Sequence, residues 1–217
     1  MLRAINFIKK DYNDNFVYYR RFMYFLVLLT ATSTYLMTNF MLPNAIDPKL
    51  FLDDYVPLIP FTIFIYHMWY PGIILLIYKM RFNENLDEIL RDLAIGMVIC
   101  NITYKLCPFL VSVRPEQLGN SFSEKILKLT YMMDEPTSSM PSSHVVLACI
   151  AYHFARKHKF YLIATLNFLI PYITLTTKQH VIADVFVAII LSYIILFLLN
   201  QKHKNLNGGF NGIYYTS

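Results

Sequence analysis

Long uncharged, apolar runs separated by short polar and basic stretches dominate the chain. Crossing the hydrocarbon core of a bilayer as a helix takes about 20 mostly apolar residues, and the runs 22–42, 56–77, 89–110 and 181–199 have that length. Two further runs are weaker. Residues 143–154 stop before Arg156 and reach spanning length only if the polar start Pro141-Ser142-Ser143-His144 is included, while residues 160–176 contain Pro171. The pattern predicts an all-α, polytopic membrane protein whose six transmembrane helices form one bundle over residues 22–200. Neither an internal repeat nor a linker rich in proline, glycine or serine divides it. Residues 1–21 interleave Leu2, Ile5, Ile8 and Phe16 with basic residues, as a cytoplasmic amphipathic segment at the interface would. Residues 201–217, with Gly208 and Gly209, read as a disordered cytoplasmic tail.

Composition sharpens this picture. Of 217 residues, 56% are hydrophobic and 15% charged, where soluble domains carry about 25% charged residues, so a soluble globular domain is excluded. The net charge of +5 matters less than where the basic residues fall. Arg3, Lys9, Lys10, Arg20, Arg21, Lys79, Arg81, Arg91, Arg156, Lys157, Lys159, Lys202 and Lys204 all lie on one side of a six-span topology. Lys49, Lys105, Arg114, Lys125, Lys128 and Lys178 remain for the other. The positive-inside rule then puts both termini in the cytoplasm. No basic stripe suggests nucleic acid. Cys100, Cys107 and Cys149 have no C-x-x-C spacing and imply neither a disulfide framework nor a metal knuckle. The first apolar run has no cleavage pattern and reads as a retained anchor.

Ionisable groups within membrane-spanning segments cost about 2.5–3.5 kcal/mol each on insertion scales and are functional candidates by default. Arg114, His144, His180 and Asp184 stand out, and the topology puts all four at the outer ends of helices. His180 and Asp184 are four apart, on one helix face. Their chemistry suits a phosphate. Pro141-Ser142-Ser143-His144 opens a helix where serine can cap and free N–H groups meet an anion, and Arg114 adds a permanent, bidentate charge. Asp184 can hold one ring nitrogen of His180 and leave the other free to attack, while His144 protonates the leaving oxygen and then activates the acceptor. This chemistry calls for no metal and no cofactor.

Arg114-Pro115, Pro141-Ser142-Ser143-His144 and His180-x3-Asp184 together resemble the three motifs of the type 2 phosphatidic acid phosphatase superfamily, over roughly residues 50–200. The resemblance implies a six-helix membrane core and metal-independent cleavage of a lipid phosphate ester, phosphatidic acid-like or an isoprenoid diphosphate, through a phosphohistidine. Carried over by motif, His180 is the nucleophile with Asp184 behind it, His144 the acid and base, and Arg114 and Ser142 hold phosphate oxygens. Cys107 stands where the family's first motif has lysine, Ser143 where the second has glycine, and Ile173-Thr174 where the third begins Ser-Arg. Two cations are thus missing, and Lys178 and Lys105 are the candidate replacements, with Ser143 beside Ser142 in the phosphate cradle. A monoester near neutral pH carries close to two negative charges and a diester one. Fewer cations therefore bring in a second reading, a phosphotransferase similar to the inositol-phosphotransferase and sphingomyelin-synthase branch. The third alternative is a non-catalytic lipid-phosphate binder. The expected partner is a membrane lipid, the oligomeric state stays open, and the site faces outward from a plasma membrane, bacterial before eukaryotic.

Other polar residues have plainer readings. His67 and His153 read as packed side chains, His158 and His203 as solvated. Tyr66, Trp69 and Tyr70 read as an interfacial aromatic belt, and Asp134 and Glu135 as solvated loop acids.

Overall fold

Each apolar run contributes a helix among the described residues. In the computed structural model residues 2–38 and 45–210 are described, and they are all-α, with seven helices: α1 Leu2–Thr38, α2 Ile63–Lys79, α3 Leu86–Leu106, α4 Phe122–Met133, α5 Ser143–Lys157, α6 Tyr161–Thr176 and α7 Ile182–Phe210. Strand pairing among the described residues is confined to isolated parallel bridges, Ile46 with Phe109 and Phe109 with Ser138. These tie three loop segments together at one end of the bundle.

The helix ends follow local chemistry. α3 stops at Leu106, short of the end of the 89–110 run, because Cys107 precedes Pro108 and a residue before proline is driven to extended backbone; its φ and ψ are −139° and 86°. α5 is capped by Ser142, whose Oγ accepts the Val145 N–H at 3.3 Å. The 56–77 run begins with irregular chain and a 3-10 turn, Pro60–Thr62, before α2. At its other end the N-terminal segment does not form a separate helix: residues 2–38 are one continuous α1. α7 runs on to Phe210, through the first part of the expected tail; residues 39–44, which end the first run, and 211–217 lie outside the described residues.

α4 is a helix that the apolar runs do not announce. Ser121 caps it, with Glu124 reaching back to the Ser121 N–H in a capping box. The hydrogen bonds from Ser121 hold the Glu124 carboxyl below the usual carboxylate range.

α5 is central, packed against α3, α6 and α7, with α1 on α3 and α2 on α6. Val145, Val146, Ala148, Ile150, Ala151, Phe154 and Ala155 on α5 are fully buried. Small residues let the backbones approach. A Cβ at Gly96 would stand 2.9 Å from Val146 Cγ1, and one at Gly72 2.7 Å from Leu166 Cδ2.

Two helical stretches, Pro60–Lys79 and Ile182–Leu199, are long and apolar enough to cross a membrane; α6 is apolar but shorter. Only 28% of each long stretch is buried, so most of its apolar surface faces outward, as with Met68 and Ile74 on α2 and Phe186 and Tyr193 on α7. One end of the bundle is bound by ion pairs. Arg20 and Arg21 both pair with Asp87, and Lys157 lies 3.7 Å from Glu88. The polar residues singled out by sequence gather at the opposite end.

Candidate active site

The first turns of α5 and α7 meet, and the chain before each is braced. Tyr104 on α3 donates from its hydroxyl to the Pro141 carbonyl at 2.7 Å and accepts the Ser143 N–H at 3.1 Å, while the Ser142 N–H reaches the Asp184 carbonyl at 3.4 Å. The start of α5 is thus held to both α3 and α7. Before α7, Lys178 takes left-handed backbone, φ 53°, which turns the chain so that the N–H groups of Gln179 and His180 both bond the Thr174 carbonyl. Asp53 reaches in from the 3-10 turn Phe51–Tyr55. Its Oδ1 accepts the Ile182 N–H at 2.8 Å and its Oδ2 accepts that of Leu50 at 2.8 Å, so an acid 129 positions upstream caps α7.

His180 lies just before α7 and Asp184 in its first turn. His180 Nδ1 is 3.1 Å from Asp184 Oδ2, and Asp184, fully buried, also accepts from the Val181 N–H at 3.2 Å and from Ser139 Oγ at 3.4 Å. A carboxylate so placed keeps the ring proton on Nδ1 and leaves the Nε2 lone pair free. The His144 ring centroid is 5.9 Å from that of His180.

Three aromatic residues from α2 surround His144. Its Nε2 lies 2.8 Å from Tyr66 Oη and 2.9 Å from Tyr70 Oη, and its ring is 5.1 Å from Trp69. Positions 66, 69 and 70 share one helix face. Tyr66 and Trp69 are buried, so those two are not part of an interfacial belt, while Tyr70 is half exposed and reaches His144 with its hydroxyl.

Arg114 is fixed in the next layer. Its Nη1 donates to the Asp134 carbonyl at 2.5 Å and its Nη2 to Gln179 Oε1 at 2.6 Å, while the guanidinium sits 4.8 Å from the Tyr131 ring. Asp134 Oδ2 is 4.0 Å from Nη2, and Oδ1 accepts from Tyr35 Oη at 2.6 Å. Asp134 is therefore part of the Arg114 mounting and not a solvated loop acid.

Of the residues anticipated from sequence, His144, His180 and Asp184 come together directly, and Arg114 joins them through Gln179. Ser142 and Ser143 are buried at the start of α5, the first as its cap and the second bonded through its N–H to Tyr104. The two lysines go elsewhere. Lys178 donates from Nζ to the Val56 carbonyl at 2.6 Å and the Asp53 carbonyl at 3.1 Å, which makes it a tether for the outer loop; burial lowers its ammonium from the usual lysine range. Lys105 is exposed on the last turn of α3. Among the plainer readings, His67 is partnered by Thr130 at 3.0 Å and His153 packs edge-on against Phe154.

Compared with protein-family models, with curated proteins and with solved structures, the chain matches none. The functional reading rests on the chemistry of the site itself.

Four buried side-chain nitrogens there have no hydrogen-bond partner: Trp69 Nε1, His144 Nδ1, Arg114 Nε and Gln179 Nε2. Their residues form a connected set, Trp69 on His144, His144 on His180, and Gln179 beside His180 holding Arg114. A buried donor left unpaired costs about 1–3 kcal/mol. Three of these are obligate donors, the kind of group that pairs with acceptor oxygens.

Gln179, Tyr131 and Asp53 are not singled out by the sequence, and Tyr66 and Tyr70 read there as an interfacial belt. The spacing of 66, 69 and 70 was a usable signal. For Gln179 the only signal was its place immediately before His180.

Proposed function

We propose that the chain is an integral-membrane lipid phosphatase of the type 2 phosphatidic acid phosphatase kind, with six spans, cytoplasmic termini and its site on the outer side. The observation that carries this reading is the buried His180–Asp184 pair at 3.1 Å with the His144 ring 5.9 Å away. The side-by-side alignment of an oriented imidazole, a second imidazole and unpaired donors is what phosphoryl transfer through histidine requires.

The chemistry runs in two steps. His180 Nε2 attacks phosphorus, forming a P–N bond as the bond to the ester oxygen breaks, and the departing oxygen takes a proton from His144 Nδ1 along with the bond's electron pair. With Nε2 engaged by the Tyr66 and Tyr70 hydroxyls, Nδ1 is the nitrogen that gives and takes, and His144 enters the first step protonated on both ring nitrogens. Water then attacks phosphorus while His144 Nδ1 accepts its proton. The P–N bond breaks, inorganic phosphate leaves, and both histidines return to their starting states. Asp184 stabilises the positive charge that His180 gains, and Arg114 with Gln179 and Trp69 supplies donors to the non-bridging oxygens.

A second reading is supported by the two lysines. Lys178 is bonded to the Asp53 and Val56 carbonyls and Lys105 is exposed, which leaves Arg114, held by Gln179 next to His180, as the one cation of the three assigned to phosphate. One cation balances a monoanionic diester better than a dianionic monoester. This favours transfer of a phospho-headgroup to a lipid alcohol, with the alcohol in the place of water.

Purified protein in mixed micelles separates the two. Phosphatidic acid, a lipid diphosphate, and phosphatidylcholine with ceramide are supplied with EDTA present. Inorganic phosphate from the first two establishes the phosphatase; headgroup on ceramide without free phosphate establishes the transferase. Lipid that binds and is not turned over sinks both.

A further inference from the structure

α4 divides into two faces. Leu127 and Thr130 are buried and Tyr131 is partly so, and this side carries the mounting of Arg114: the Tyr131 ring under the guanidinium, the Tyr131 hydroxyl on the Thr177 carbonyl at 2.6 Å, and Asp134 at the helix end. On the other side Phe122, Leu129 and Met133 form an exposed apolar strip, bordered by the exposed Lys125, Lys128 and Met132. An isolated helix of this length is marginal in water, and such a strip is not left to solvent without reason.

What covers the strip follows from its neighbour and its charge. Phe122 stacks on Phe64 with centroids 5.9 Å apart, and Phe64 packs edge-on to the exposed Phe61. Both belong to Pro60–Lys79, a stretch apolar enough to cross a membrane. The strip therefore continues outward-facing apolar surface from α2 onto α4. Lysines along the border of an apolar helix face are the pattern of a helix lying in a lipid interface, stems on the acyl chains and ammonium groups on phosphates. Lys128 also borders a cleft of about 410 Å³ that includes Tyr131 and Glu116, next to Arg114.

We propose that α4 is a lipid-docking helix: it lies in the outer membrane interface, with Phe122, Leu129 and Met133 among acyl chains and Lys125 and Lys128 on lipid phosphates, and couples that surface to Arg114 through Tyr131 and Asp134. The proposal rests on the membrane topology given under the proposed function. It adds that lipid contact on α4 brings membrane-presented substrate to Arg114, a step that a soluble ester bypasses.

The test uses the full chain in vesicles of phosphatidylcholine and phosphatidylglycerol. Trp69 is the one native tryptophan, so emission added by Met133→Trp is read as a difference from the parent. The expected result is a blue-shifted added emission, quenched by lipids brominated near the top of the acyl chains and not by aqueous iodide. Quenching by iodide, or by neither agent as in a contact between two copies, overturns the proposal. Tyr193→Trp on α7, with bromine deep in the chains, is the control for the topology. If its emission is quenched and that of Met133→Trp is not, docking fails and the topology stands; if neither is quenched, both fail. As an independent measurement, Leu129→Asp with Met133→Asp is expected to lose turnover of long-chain lipid phosphate in vesicles while keeping turnover of a short-chain soluble ester. Equal loss on both substrates overturns the coupling.

Discussion

Gln179 Oε1 accepts a hydrogen bond from Arg114 Nη2 at 2.6 Å, so the residue immediately before His180 positions the cation of the site. Its own amide Nε2 remains buried and unpartnered. One side chain thus orients Arg114 and offers a donor of its own.

Gln179→Ala is expected to lower kcat/KM about tenfold or more, matching the 1–3 kcal/mol of an unpaired buried group. Gln179→Glu keeps the acceptor for Arg114 but removes the donor and adds a negative charge that would repel the phosphate of the proposed substrate. The loss should be larger than with alanine. Steady-state kinetics in micelles decide the order, and a Glu variant as active as the parent would rule out phosphate contact at Gln179.

The two α2 tyrosines act on one nitrogen of His144. Removing either hydroxyl leaves the other at 2.8 or 2.9 Å, so Tyr66→Phe and Tyr70→Phe should each have a mild effect. The double variant should lose far more than the two single losses combined, because a general acid and base contributes about 10²–10⁴ in rate. The fall is expected in kcat with KM little changed, and the bell-shaped pH profile that an acid and base pair predicts for the parent should flatten on one limb.

Asp53 and Lys178 make a structural prediction. Asp53→Ala leaves the Ile182 and Leu50 N–H groups without their carboxylate and removes the α7 cap, at a cost of about 1–2 kcal/mol. A lower melting temperature in detergent is expected, with Asp53→Asn between variant and parent. Lys178→Met should likewise lower the melting temperature and leave KM nearly unchanged; a large rise in KM would restore Lys178 as a phosphate ligand.

Much of the site was legible because the chemistry dictates residue types and order. His180 and Asp184 are four apart at a helix start, and His144 follows two serines at another, so their juxtaposition needed only an up-and-down order of helices. Lys178 was not legible: its role depends on left-handed backbone that points its stem at the 3-10 turn, and nothing in residue spacing encodes that path. α4 escaped because its apolar positions, 122, 126, 127, 129, 132 and 133, are interrupted by Lys125 and Lys128 and form no long run. The inward turn of Tyr66 and Trp69 was written in their helical spacing, but that spacing alone does not say whether lipid or His144 faces them. The end of α3 was readable from Pro108 and obscured by the apolar residues beyond it.

The most direct test of the account is to trap the intermediate. The parent protein and His144→Ala are mixed with lipid phosphate labelled at phosphorus, quenched within a turnover under alkaline conditions that preserve phosphohistidine, digested and mapped. We expect label on the peptide containing His180 in the parent, formed more slowly in His144→Ala and missing from His180→Ala. Turnover in the parent without any label on that peptide, or label that survives His180→Ala, would contradict the mechanism.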